Sequence, residues 1–82
     1  MDKFKVILNP LAGHGYTGRI SPTISQYFQA MGAPFELVHT TRAGEAISLA
    51  QQAIADGFER IIAVGGDGTS HEVVNGIMSS RN

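Results

Sequence analysis

Cysteine and tryptophan are both absent from this 82-residue chain. Without cysteine there can be no disulfide framework, no zinc knuckle and no thiol nucleophile. No apolar run approaches the roughly 20 residues that a helix needs to cross a bilayer. The opening stretch, Met1-Asp2-Lys3-Phe4-Lys5-Val6-Ile7-Leu8, has too short an apolar core for a secretory signal. An excess of one charge is missing too: six Lys and Arg stand against seven Asp and Glu, a net charge of −1. That balance offers no basic footprint for nucleic acid or an anionic surface. A soluble cytoplasmic domain is expected, with membrane contact at most peripheral.

What the chain has in excess is glycine. Ten in 82 residues is about 12%, against an average near 7%. Six of them fall in two clusters, Gly13/Gly15/Gly18 and Gly65/Gly66/Gly68. Clustered glycine marks backbone that turns sharply or must be approached closely. The rest of the composition, 43% hydrophobic and 16% charged, is that of one small globular domain. A chain of this size buries only roughly 60% of the surface its unfolded form exposes, so its stability is expected to be marginal.

Three short runs rich in Val, Ile and Phe read as strands: Phe4–Leu8, Phe35–His39 and Arg60–Val64. The continuous Ile61-Ile62-Ala63-Val64 suits a strand buried on both faces of a parallel sheet. Between the runs the apolar period is helical. Ile24, Tyr27, Phe28 and Met31 form one face, with Ser21-Pro22 as a start signal and Gly32 and Pro34 as stops. Ala46, Leu49, Ala50, Ala53 and Ile54 form a second, ended by Gly57. Val73, Val74, Ile77 and Met78 form a third, opened by Thr69-Ser70-His71-Glu72, which matches a capping box. The order β-α-β-α-β-α predicts a three-layer α/β domain with a parallel sheet and right-handed crossovers. Three strands leave much sheet edge unaccounted for, so the chain reads as part of something larger.

Open α/β sheets bind ligands beyond the carboxyl ends of their strands. Those ends run into residues 9–15, 40–44 and 65–69, all rich in small or hydrogen-bonding side chains. The third, Gly65-Gly66-Asp67-Gly68-Thr69, joins a buried strand to a helix N-terminus, where free N–H groups and the helix dipole favour phosphate. Asp67 would repel phosphate unless Mg²⁺ lies between them; it also fits a plain Asp-Gly turn. Asn9-Pro10 fits a turn start, Thr40 a strand-end hydrogen-bonder, and Arg42 a solvated loop charge.

Several motifs fall short. Gly13-His14-Gly15-Tyr16-Thr17-Gly18 matches G-x-G-x-x-G, but a helix starting at Ser21-Pro22 begins late for a dinucleotide turn, and Glu36 sits at the start of its strand. Arg19-Ile20 replaces the Lys-Ser/Thr of a P-loop, and Asn75 replaces the second ligand of H-E-x-x-H. His14, His39 and His71 have no metal spacing, and no Ser-His-Asp order can be assembled.

The three loop segments together resemble the catalytic family of diacylglycerol kinases, which includes sphingosine kinases and bacterial lipid kinases. Asn9-Pro10-Leu11-Ala12-Gly13-His14-Gly15 is similar to its N-P-x-A/G-G-x-G opening. Thr40-Thr41-Arg42-Ala43-Gly44-Glu45-Ala46 resembles its T-x-x-x-G-[HD]-A segment. Val64-Gly65-Gly66-Asp67-Gly68-Thr69-Ser70-His71-Glu72-Val73-Val74-Asn75-Gly76 resembles its V-G-G-D-G-T-x-x-E-V-x-N-G signature. The resemblance implies the N-terminal domain of a lipid kinase with NAD kinase and phosphofructokinase architecture, moving the ATP γ-phosphate to a lipid hydroxyl with Mg²⁺. It places nucleotide contacts at Asn9, Thr40, Gly65, Gly66, Asp67, Gly68, Thr69, Ser70, His71 and Glu72, with Asp67 beside phosphate and metal.

The family pattern continues with a fourth strand, a further glycine loop and a β-rich second domain that carries most of the lipid pocket and the general base. Residues 1–82 would then be a partial ATP-binding domain, inactive alone. Two alternatives stay open: an NAD kinase-like enzyme, which shares G-G-D-G-T, and a non-catalytic nucleotide-binding module.

Overall fold

The computed structural model describes residues 3–80. Short β-branched runs alternate with helical periods, and each forms the element its pattern favours: β1 (Phe4–Leu8), α1 (Tyr16–Met31), β2 (Phe35–His39), α2 (Glu45–Ala55), β3 (Arg60–Val64) and α3 (Asp67–Ser80). The strands make one parallel sheet in the order β2-β1-β3. Phe4 lies opposite Phe35 and Arg60, and Leu8 opposite His39 and Val64.

Successive strand side chains point to opposite faces, so each face of β1 needs its own cover. On one face Phe28 of α1 packs its ring 5.4 Å from Phe4 and 5.3 Å from Phe35. On the other, Ile7 is buried with Ala46 and Ala50 of α2 and Val73 of α3. The result is three layers. Lys5 shares the second face and is buried, its ammonium paired with Glu36, the residue opposite it in register. A one-residue slip of β2 would leave that charge buried without its partner, so the pair helps fix the register.

Helices α2 and α3 run together along a close seam. A Cβ added at Gly76 would lie 2.5 Å from the Ile47 carbonyl oxygen and 2.8 Å from Ala50 Cβ. One turn on, Gln51 Nε2 donates to Ser79 Oγ at 2.8 Å. On the opposite face α1 stands alone, leaving an apolar groove of about 480 Å³ between it and β3. Tyr27 (64% exposed) and Met31 (47%) therefore remain in the open despite lying on the apolar side of their helix.

The sheet, its order of elements and its parallel sense are as the sequence predicts. Four local expectations are corrected. Helix α1 starts at Tyr16, five residues before Ser21-Pro22, and Pro22 lies inside it. The three amides of its first turn already have partners in the preceding loop, so the helix needs no start signal at Ser21. No capping box forms at Thr69: α3 begins at Asp67, Thr69 is buried inside its first turn, and the Glu72 carboxylate points to another element. Strand β3 is only half-buried, because it is an edge; β1, the central strand, is the one enclosed on both faces. Val74 and Met78, expected in the core, are 56% and 60% exposed. Arg81 and Asn82 of the polar tail lie outside the described residues.

Candidate functional site

In a parallel sheet every strand ends at the same edge. The loops after β1, β2 and β3 meet there around a cleft of about 260 Å³, lined by Asn9, Leu11, Thr40, Thr41, Arg42, Ala43, Gly68, Thr69 and Glu72. Thr40 is held at the rim by its amide, which donates to the Leu8 carbonyl at 2.9 Å and prolongs the β1–β2 ladder. Asn9 is held from the other side, its amide donating to the Val64 carbonyl at 2.9 Å.

The first loop closes on itself. Asn9 Oδ1 accepts the Leu11 amide at 3.0 Å, a local turn that Asn side chains make readily. The buried Thr17 hydroxyl donates to the carbonyls of Asn9 and Ala12. Gly13, His14 and Gly15 all have positive φ, a path that bends the chain back into α1. As a result the amides of Tyr16, Thr17 and Gly18 donate to Gly13, Ala12 and Pro10. The late-helix objection to a dinucleotide site fails, since α1 directly follows the glycines. This N-terminus is nevertheless spoken for by its own chain.

The third loop is the opposite case. Thr69 and Ser70 both donate to the Gly66 carbonyl, while the amides of Gly66, Asp67 and Gly68 find no acceptor among the described residues. Gly65 is dictated by the chain: a Cβ there would sit 2.6 Å from Thr69 Oγ1 and 3.2 Å from Asn9 Cβ. Gly66 and Gly68 are not. A Cβ at either would meet nothing within 4 Å, and neither has positive φ. Three free amides at the start of a 14-residue helix, flanked by bare glycine, offer phosphate both donors and room.

The middle loop is tied down by carboxylates. Glu45 accepts from the Thr41 amide and, at 3.0 Å, from the Thr41 hydroxyl, with Arg42 at 3.7 Å. Those hydrogen bonds, with a smaller contribution from the Arg42 charge, hold the Glu45 carboxyl below the usual glutamate range. Glu72 reaches across from α3 and accepts the Gly44 amide at 3.1 Å.

Of the residues singled out from the sequence, Asn9, Thr40, Gly68, Thr69 and Glu72 line the cleft; Gly65, Gly66 and Asp67 do not line it and are an exposed lip of chain just before Gly68. Ser70 and His71 are exposed on α3 and do not line it. Leu11, Thr41 and Ala43 line it without having been singled out, as does Arg42, read as a plain solvated charge. Their loop positions carried the only available signal. No group of three His, Asp or Glu among the described residues could hold a metal ion. Asp67 alone is a donor set that fits a cation arriving with phosphate, because Mg²⁺ binds through one or two carboxylates plus phosphate oxygens and water. Among the described residues no helix is long and apolar enough to cross a membrane.

Residues 3–82 match the model of the diacylglycerol kinase catalytic domain. The chain is 40% identical over 85 residues to sphingoid long-chain bases kinase 1 of Arabidopsis thaliana, a match covering 98% of this chain and 11% of that protein. It is 38% identical over 77 residues to a diacylglycerol kinase of Bacillus subtilis, covering 94% of this chain and 25% of that protein. A crystal structure of a diacylglycerol kinase from Bacillus anthracis superposes with a TM-score of 0.68 at 33% identity, covering 92% of this chain and 27% of that one. The chain thus spans a quarter or less of the curated relatives it matches.

Proposed function

The chain belongs to the diacylglycerol kinase catalytic domain family, and from that premise we propose that it is the nucleotide-binding part of an ATP-dependent lipid kinase. One observation carries the reading. Three backbone amides at the open start of α3 have no partner among the described residues, beside two glycines where a Cβ would meet none of them. Phosphate oxygens of ATP accept from Gly66, Asp67 and Gly68, with Thr69 at the base of the lip and Asn9 and Thr40 flanking it. Asp67 supports Mg²⁺, which neutralises charge on the phosphates when bound.

The reaction joins a lipid hydroxyl oxygen to the γ-phosphorus, breaks the bond to the β-phosphate oxygen and releases ADP. Such a step needs the nucleophile, metal and charge stabilisers positioned together. The matched relatives are nearly four or more times as long as this chain. The lipid pocket and the base that takes the hydroxyl proton belong to that further polypeptide, and the 82-residue chain alone transfers no phosphate.

Amide NMR with added ATP and Mg²⁺ tests the cradle: shifts are expected at Asn9, Thr40 and residues 65–69. Absence of any shift at millimolar nucleotide would sink it. Radiolabelled ATP with diacylglycerol and sphingoid bases tests the chemistry. Lipid product from the 82-residue chain alone would refute its inactivity. Transfer to NAD only, by a polypeptide that continues this chain through the remaining catalytic domain, would overturn the choice of acceptor.

A further inference from the structure

Resting on that reading, we propose that Glu72 is a positioning residue: it sets the width of the nucleotide cleft by clamping the loop after β2 to α3. Although it lines the cleft, its Oε2 accepts the Gly44 amide at 3.1 Å. Gly44 has φ +84 and directly precedes α2. Its amide therefore faces out of the helix start, where a carboxylate is favoured by both the hydrogen bond and the dipole.

The clamp does not stand alone. Glu72, Gly76 and Ser79 recur at i, i+4 and i+7 on α3, which puts them on one stripe. They meet Gly44, Ile47 and Gln51, which recur at i, i+3 and i+7 along the start and length of α2. At Gly76 the helices approach so closely that no side chain fits between them. Glu72 is the end of this seam nearest the cleft. From there it ties residues 40–44, which carry Thr40, to the helix whose first turn carries the free amides. Losing it frees the rim without opening the core, because Ile7, Ala46, Ala50 and Val73 pack deeper along the seam.

The test uses the 82-residue chain, with Glu72→Ala and Glu72→Gln variants. The readouts are amide hydrogen exchange at Gly44, melting temperature and affinity for ATP with Mg²⁺. Expected for Glu72→Ala is exchange at Gly44 faster by about tenfold or more, and affinity lower by about tenfold, as for one lost charge-assisted bond. Melting is expected to move by less than about 3 °C. Glu72→Gln keeps an acceptor oxygen and should restore most of both losses. Unchanged Gly44 exchange in Glu72→Ala would overturn the clamp. So would a Glu72→Gln variant as weak for ATP as Glu72→Ala while its Gly44 stays protected, since the carboxylate would then be acting on the ligand. If the unmodified chain binds no ATP, the nucleotide reading fails, and Gly44 exchange still decides the clamp.

Discussion

Two glycine-rich loops leave the same edge of one sheet and enter helices, yet they serve opposite ends. In the loop after β1 the carbonyls of Pro10, Ala12 and Gly13 take up the amides that open α1. Its glycines answer to the chain: Gly13 and Gly15 for positive φ, Gly18 because a Cβ would lie 2.8 Å from the Pro10 carbonyl oxygen. In the loop after β3, three amides are left over and two glycines answer to nothing among the described residues. Glycine density is the same signal in both. Where the amides go is what separates a structural turn from a binding site, because an unpaired N–H group at a helix start is available to an anion and a paired one is not.

Substitutions at matched glycines should break the symmetry most visibly. Gly18→Ala pushes a methyl into the Pro10 carbonyl and is expected to cost about 2–3 kcal/mol of stability, the scale of overpacking a tight contact. Urea unfolding reads it, and a loss under about 0.5 kcal/mol would mean that the first loop is not closed in the way described. Next in size is Thr17→Val, which keeps the shape of the buried side chain and removes the hydroxyl that bridges Asn9 and Ala12. About 1 kcal/mol is expected, since the half-buried carbonyls of Asn9 and Ala12 lose the hydroxyl but keep the Ala12 and Thr17 amides as donors.

The third substitution should change sign. Gly68→Ala lies in the first turn of α3 with open space around the new methyl. Stability is expected to rise by up to about 1 kcal/mol, the ordinary helical preference of Ala over Gly. Affinity for ATP should fall by about tenfold, because the methyl occupies the room over the free amides. A variant that gains stability and keeps full affinity would remove Gly68 from the cradle.

The contrast also marks what could be read from the sequence. The strands, their parallel order and the three loops at one edge follow from apolar period and turn residues, because each strand keeps a local preference that agrees with the fold. The start of α1 does not. Ser21-Pro22 has the chemistry of a helix start, but the amides at Tyr16, Thr17 and Gly18 are satisfied by carbonyls up to eight residues earlier, through a turn that local pattern does not encode. Glu72 shows the same limit. Thr69-x-x-Glu72 reads as a cap for its own helix, whereas the carboxylate caps α2, 28 residues away. Half of the apolar side of α3 is exposed for a related reason: Gly76 draws that helix toward α2, turning Val74 and Met78 outward. The candidate residues at the cleft were legible because strand ends, unlike helix caps, have their position set by topology alone.

The loop after β2 supplies the smallest and most discriminating test, because beside one turn of its own, the Glu45 amide donating to the Arg42 carbonyl at 3.3 Å, it is held by two carboxylates. Hydrogen bonds from Thr41 depress the Glu45 pKa in the folded chain. A group whose folded value is lowered contributes stability that is fully present above its ordinary value and lost as pH falls through the folded one. The Thr41–Glu45 tie should therefore hold at neutral pH and release only below the usual glutamate range. Glu45→Gln removes the charge at every pH. Its melting temperature should lie slightly below that of the unmodified chain at pH 7, by an amount kept small by the exposure of the site. The gap should close as pH falls past the depressed value. A gap that instead persists into strong acid would assign the difference to packing at residue 45 and leave the carboxylate no part in holding the middle loop.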